Sequence, residues 1–222
     1  PGTSTVLASA KAETTHYNLA EGISGALRNL AALSWPGGTK AVRQINLSTT
    51  LATNSIAEGL SNKIGLIMMG YDADQAAVRW LVDKLPLVEA VFVAGSHDFY
   101  GREDIPLDEE ALAAAAAGLE PQVSGWAISG FFSVKNPGHE LRAANILKAV
   151  SNKPITLGRD LTGEYDAVRR AATAALNAGL VVIINRLLDA VKTSALAAGL
   201  EARLMVVKGD GSLVSEYWAR ER

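Results

Sequence analysis

Cysteine is absent from all 222 residues, which removes disulfides, thiolate metal sites and thiol nucleophiles together and fits a cytoplasmic protein. Histidine occurs three times, too seldom for a structural zinc site to be expected. Basic residues form no run and do not alternate with aromatic ones, and the formal charge of −2 is spread along the chain. Nucleic acid and anionic membrane are therefore not expected partners. No uninterrupted apolar run approaches the ~20 residues of a membrane-crossing helix, and the longest, 178–184, reads as part of a helix with polar residues on its other side. The basic and apolar start of a signal peptide is missing as well. So are the Gly-rich loop ending in Gly-Lys-Ser/Thr and the Gly-x-Ser-x-Gly elbow, which sets aside P-loop and serine-hydrolase chemistry. The first residue is Pro1 and not Met, and the chain is expected to be a fragment.

What is present is a composition 49% hydrophobic, enough for one large core or two modest ones. Apolar runs at 6–10, 42–47, 64–70, 88–94, 126–132, 155–158 and 203–207 read as strands. Between them, helical spacing predicts helices over about 18–33, 74–85, 108–118, from 136 onward, and over a long stretch of 165–198. Asp108 and Asn136-Pro137 carry helix-start signals, and Lys208-Gly209-Asp210-Gly211-Ser212 reads as a hairpin turn. Such alternation predicts an α/β fold with a mostly parallel sheet covered by helices. The pairs Glu120-Pro121 and Ser124-Gly125 suggest a division into domains 1–124 and 125–222.

Three places concentrate chemistry. Ser48, Thr49, Thr50, Thr53 and Asn54 crowd hydroxyl and amide groups into a strand-to-helix junction, where α/β proteins place ligands. The same residues serve equally well as helix caps. His97 and Asp98 follow a strand end and pair a proton carrier with a carboxylate, or form a loop with an Asx turn. His139 and Glu140, just after Asn136, fall in a first helical turn, where the carboxylate also complements the helix dipole.

Several separated segments together resemble one family, the A-type subunit of ATP-dependent hydantoinases and 5-oxoprolinases, related also to acetone carboxylase subunits. They are Leu7-Ala8-Ser9-Ala10-Lys11 with Thr14-Thr15, Leu47-Ser48-Thr49-Thr50-Leu51-Ala52-Thr53-Asn54 with Glu58-Gly59, Gly95-Ser96-His97-Asp98, and Asn136-Pro137-Gly138-His139-Glu140-Leu141. Arg169-Arg170-Ala171-Ala172-Thr173 and Met205-Val206-Val207-Lys208-Gly209-Asp210-Gly211 continue the match. The resemblance implies an actin-like ATPase fold of the ribonuclease-H type, here incomplete. It implies use of ATP with Mg²⁺ to phosphorylate the carbonyl oxygen of a cyclic amide ahead of hydrolysis, and a B-type partner subunit. By the same resemblance His97, Asp98, His139 and Glu140 would be catalytic, Ser48, Thr49, Thr50, Thr53 and Asn54 would face substrate, and Gly2 and Thr3 would be the remnant of a phosphate turn. The sequence departs from the family pattern at Ser96, where a second glycine is common, at Arg159, where a histidine is common, and in lacking the acidic first strand. Alternatives of other classes are a non-catalytic actin-like scaffold and a sugar-kinase-like phosphotransferase. A homo-oligomer is compatible with each.

Overall fold

The computed structural model describes residues 5–13, 19–48 and 62–221. The stretches 1–4, 14–18 and 49–61 and residue 222 lie outside the described residues, and with them the expected site residues Gly2, Thr3, Thr49, Thr50, Thr53 and Asn54. In chain order the elements are α1 (Leu19–Ala31), β1 (Gln44–Leu47), β2 (Ile64–Met69), α2 (Ala76–Lys84), β3 (Val88–Val93), β4 (Ser96–His97), β5 (Glu103–Ile105) and α3 (Glu109–Leu119). They continue with β6 (Gly125–Gly130), α4 (Gly138–Val150), β7 (Ile155–Leu157), α5 (Gly158–Leu161), α6 (Ala167–Ala197), β8 (Arg203–Val207), β9 (Leu213–Ser215) and α7 (Glu216–Glu221).

Two compact units divide the chain: Leu51–Val182, and Pro1–Thr50 together with Ile183–Arg220. The first is built on a four-stranded parallel sheet of order β3-β2-β6-β7. Every residue of β2 and of β6 is buried, as a strand covered on both faces requires. Alternation along β2 sends Ile64, Leu66 and Met68 toward Val78 and Leu81 of α2 and the alanines of α6. It sends Ile67 and Met69 the other way, against Leu112 and Ala116 of α3 and Ala143, Ala144 and Leu147 of α4. Trp126 lies flat over Gly65, where an added Cβ would stand 2.4 Å from the indole ring. Asp108 caps α3 by accepting from Ala111 N at 3.0 Å, as the sequence predicts, and Glu109 and Glu110 complement its dipole.

The other unit carries a three-stranded sheet of order β1-β8-β9, with β1 parallel and β9 antiparallel to β8. Lys208 N donates to Ser212 O at 2.8 Å, which closes the predicted hairpin turn. Leu187, Leu188 and Val191 from the second half of α6 are buried in it, and Arg220 bonds both Asp189 and Glu216. A cavity of about 390 Å³ lies beside Val191, Leu196, Leu200 and Leu204. By length and composition α6 is apolar enough to cross a membrane, but just over half of that stretch is buried within the protein, and its alanines 171, 174, 175 and 178 belong to a protein core.

Some expectations change. Residues 6–10 form no strand: Val6 and Leu7 are 82% and 63% exposed, with no bonded neighbour strand among the described residues. Gly118 lies inside α3 instead of closing it. The 124/125 division falls within one unit, because β6 beginning at Gly125 is bonded to β2 through six residue pairs. Asn136 is one residue short of the cap of α4, yet its Oδ1 accepts from Gly138 N at 2.9 Å.

Candidate functional site

In the four-stranded sheet the chain leaves β2 to build β3 on one side and leaves β6 to build β7 on the other. The carboxyl ends of β2 and β6 therefore flank a topological switch point, the place where open α/β sheets bind ligands. Gly70 follows β2 at φ +75°, and an added Cβ there would stand 3.1 Å from both Gly95 O and Ser96 Cβ. Gly95, at φ +144°, turns the chain after β3. These two glycines let the loops pass closely enough to shape a cleft of about 380 Å³ walled by Tyr71, Asp72, Phe92, Ser96 and Ile105.

Beside the cleft two buried histidines touch. His97 closes β4 and is 7% exposed, His139 stands in the first turn of α4 and is 3% exposed, and their ring centroids lie 4.1 Å apart at an interplanar angle of 39°. His139 Nε2 meets Glu103 Oε1 at 2.8 Å, while its Nδ1 is buried with no hydrogen-bond partner. Arg142 extends the chain of contacts, reaching Glu103 at 3.3 Å and Glu109 at 2.6 Å. Burial, and then the neighbouring His139, push the His97 pKa below its usual value. The hydrogen bond from His139 holds the Glu103 carboxyl below the usual range.

A second network lies at the end of β6. Glu140 is fully buried, and its two oxygens accept from Gly130 N at 2.9 Å and Arg159 N at 3.2 Å. Burial pushes its pKa up, against those two amides and the nearby Arg170 charge. Arg170, also fully buried, donates to the carbonyls of Glu164, Gly130 and Phe131 at 2.7–2.8 Å. The Tyr71 hydroxyl bonds Ser129 Oγ and Ala167 O, both at 2.7 Å, and its pKa is pushed up to about 12 by burial.

The structure thus brings His97 and His139 together and sets Glu140 in the same helical turn as His139. Asp98 is turned elsewhere: its oxygens accept from the backbone of Tyr100 and Arg102 and from the Arg102 guanidinium, all at 2.8–2.9 Å. It holds the hairpin tip and does not orient His97. Glu140 has no exposed surface for a reacting group and braces two loops. Ser48 follows β1 in the other unit and is exposed. Glu103, Arg142, Arg170 and Tyr71 were not singled out from the sequence. Only Arg170 carried a signal there, an arginine in phase with the alanines of α6.

Among the described residues no cluster of three His, Cys, Asp or Glu side chains is placed to hold a metal. The Gly209–Gly211 turn spends its charges internally, with Lys208 on Asp210 at 3.3 Å and Asp210 on Ser212.

Comparison with known proteins gives a consistent picture. The family described as the hydantoinase/oxoprolinase N-terminal region matches residues 2–151. Caprolactamase subunit alpha of Pseudomonas jessenii is 28% identical across 78% of this chain and 27% of its own length. The crystal structure of the ATP-dependent caprolactamase from Pseudomonas jessenii superposes with a TM-score of 0.70 at 26% identity, covering 91% of this chain and 32% of that one. The nucleotide-free structure of acetone carboxylase, from work on ATP-dependent acetone carboxylation, gives 0.69 at 22% identity, with coverages of 96% and 34%. The chain spans about a quarter to a third of the length of these relatives.

Proposed function

We propose, from the premise that this chain belongs to the hydantoinase/oxoprolinase family as its N-terminal region and has the actin-like α/β fold, that its full-length protein hydrolyses cyclic amides at the expense of ATP. The similarity to an ATP-dependent caprolactamase over most of this chain carries the reading. In it, the γ-phosphoryl group of ATP passes to the ring carbonyl oxygen as ADP departs, water adds to the activated ring carbon, the C–N bond breaks with the ring nitrogen leaving as an amine, and a second water releases phosphate from the acyl phosphate left behind; Mg²⁺ would accompany the nucleotide. A resonance-stabilised amide needs such activation, because general-base help alone leaves a poor leaving group. Ser48, Thr49, Thr50, Thr53 and Asn54 remain the substrate-side candidates and Gly2 and Thr3 the phosphate-side ones.

Within that activity the described residues of Leu51–Val182 supply a cleft beside the carboxyl ends of β2 and β3, lined by Tyr71, Phe92 and Ile105 and of a size for a small ring. The imidazole beside it is His97, buried but for a small edge and held neutral to lower pH than a free imidazole, so that its ring is unprotonated at neutral pH. His139 acts on His97 by packing, and Glu140 by bracing the loops. The full-length protein with a B-type subunit is expected to release ADP in the presence of Mg²⁺ only when a lactam, hydantoin or 5-oxoproline is added. ADP release indifferent to every cyclic amide would overturn the reading. A scaffold role is favoured by one observation, the burial of His139 and Glu140 away from any reacting group. It predicts that His97→Asn leaves ATP-dependent amide hydrolysis by the full assembly unchanged, whereas the catalytic reading expects a loss of about 100-fold or more in kcat.

A further inference from the structure

The tip of the β4–β5 hairpin, the loop between β6 and α4 and the turn before α6 share a row of rings that neither core uses. Phe99, Tyr100 and Tyr165 are 60%, 77% and 59% exposed, and none of the three belongs to either hydrophobic core. Phe99 meets Tyr100 and Phe132 edge to face, at centroid distances of 5.7 and 6.3 Å. The Lys135 ammonium lies over the faces of both Phe99 and Tyr165, at 5.5 and 5.0 Å, and the Arg102 guanidinium over Tyr100 at 5.3 Å.

The row is held in place. Asp98 binds the hairpin tip through two backbone amides and the Arg102 side chain. Asn136 Nδ2 donates to Gly101 O at 2.9 Å and so ties the two loops together. Gly101, at φ +83°, packs so closely that an added Cβ would stand 3.3 Å from Lys135 Cβ. Loops fixed beforehand lose little freedom on association, which is the property of a surface prepared to bind.

Shape and charge select the occupant. These rings stand outward and line neither cavity, whereas small ligands are held in concave sites. Protruding aromatic side chains beside arginine are the composition of protein interface hot spots. Arg102 is already matched by Asp98 at 2.8 Å, whereas the exposed Lys135 forms no ion pair with a carboxylate among the described residues. We propose that this ridge docks a second, different subunit, whose apolar groove receives Phe99 and Tyr100 and sets a carboxylate opposite Lys135. The proposal rests on the reading that the protein works with a B-type partner.

The test is co-expression of the full-length protein with its B-type subunit, and measurement of their affinity by titration calorimetry at several salt concentrations. Replacing both rings, Phe99→Ser with Tyr100→Ser, is expected to weaken assembly by about 100-fold or more. Lys135→Glu is expected to weaken it about 10-fold and to abolish the decline of affinity with rising salt. All three side chains are exposed, so unchanged melting curves would confirm that the variants fold. Variants assembling with wild-type affinity would overturn the inference while leaving the proposed activity standing. Failure of the wild-type subunits to assemble at all would overturn the partner reading with it. Resistance of the Tyr100 ring to nitration in the full-length protein without its partner, measured against Tyr100→Phe, would overturn the inference too, by showing the ridge already covered by its own chain.

Discussion

His97 and His139 are packed ring against ring, so a proton on one opposes a proton on the other, and the consequence is a defined pH dependence. Unfolded His97 titrates near 6.5, while in the folded chain burial and His139 delay protonation to lower pH. Between those values the unfolded state binds more protons. The contribution is therefore complete above about 6.5 and is lost as pH falls from there through the folded value. Urea midpoints measured from pH 7.5 to 5.5 should decline more steeply for the wild type than for His97→Gln; parallel declines would remove His97 as the cause. Glu103, whose folded value lies below 4.5, adds a loss of the same sign only at more acid pH. Glu140 has the opposite sign. Its folded pKa is raised, so stability falls as pH rises from about 4.5 through the folded value. Glu140→Gln retains the shape but faces an amide donor with another donor at Gly130 N or Arg159 N. A cost of about 1–3 kcal/mol is expected in chemical denaturation, and a neutral result would show that those amides find other acceptors. Tyr71 should remain a phenol until about pH 12, visible as one late step in an ultraviolet titration that Tyr71→Phe removes.

At the scale of elements, the decisive contact is between β2 and β6, where the bare backbone of Gly65 accommodates the fully buried indole of Trp126. Gly65→Ala places a methyl group against that ring and should cost about 1–3 kcal/mol, read as a lower denaturant midpoint together with a shifted Trp emission. Unchanged emission and midpoint would mean that the indole moves aside freely. Elements of this kind were the legible part of the sequence. A strand buried on both faces writes itself as an unbroken apolar run such as Ile-Gly-Leu-Ile-Met-Met, and a capped helix announces itself at Asp108. The 31-residue α6 was readable from its helical spacing. Short elements were not: β4 and β5 have two and three residues and are defined by their pairing, and Val6 and Leu7 resemble a strand but have no partner strand among the described residues. The site was half legible for a similar reason. His97, His139 and Glu140 stand in recognisable segments, but the Glu103 that fixes His139 lies 36 residues away and announces nothing locally. Asp98 beside His97 looked like its partner because adjacency is visible in a sequence and side-chain direction is not.

For the molecule as a whole, family membership and architecture agree, while the chain spans only about a quarter to a third of its relatives' length. For that reason the 222-residue chain alone is expected to turn over no ATP. Phosphate release above background by the purified chain with Mg²⁺ and ATP would contradict that. The strand order also has a consequence in time. β2 finds β3 about twenty residues later, but its other neighbour, β6, begins about sixty residues downstream. At ribosomal rates of about 5–20 residues per second, one edge of the most apolar strand in its sheet waits roughly 3–12 s for its mate. The segment that anchors the finished sheet is thus one whose apolar edge a nascent chain must keep shielded while the strand that will cover it is still being made.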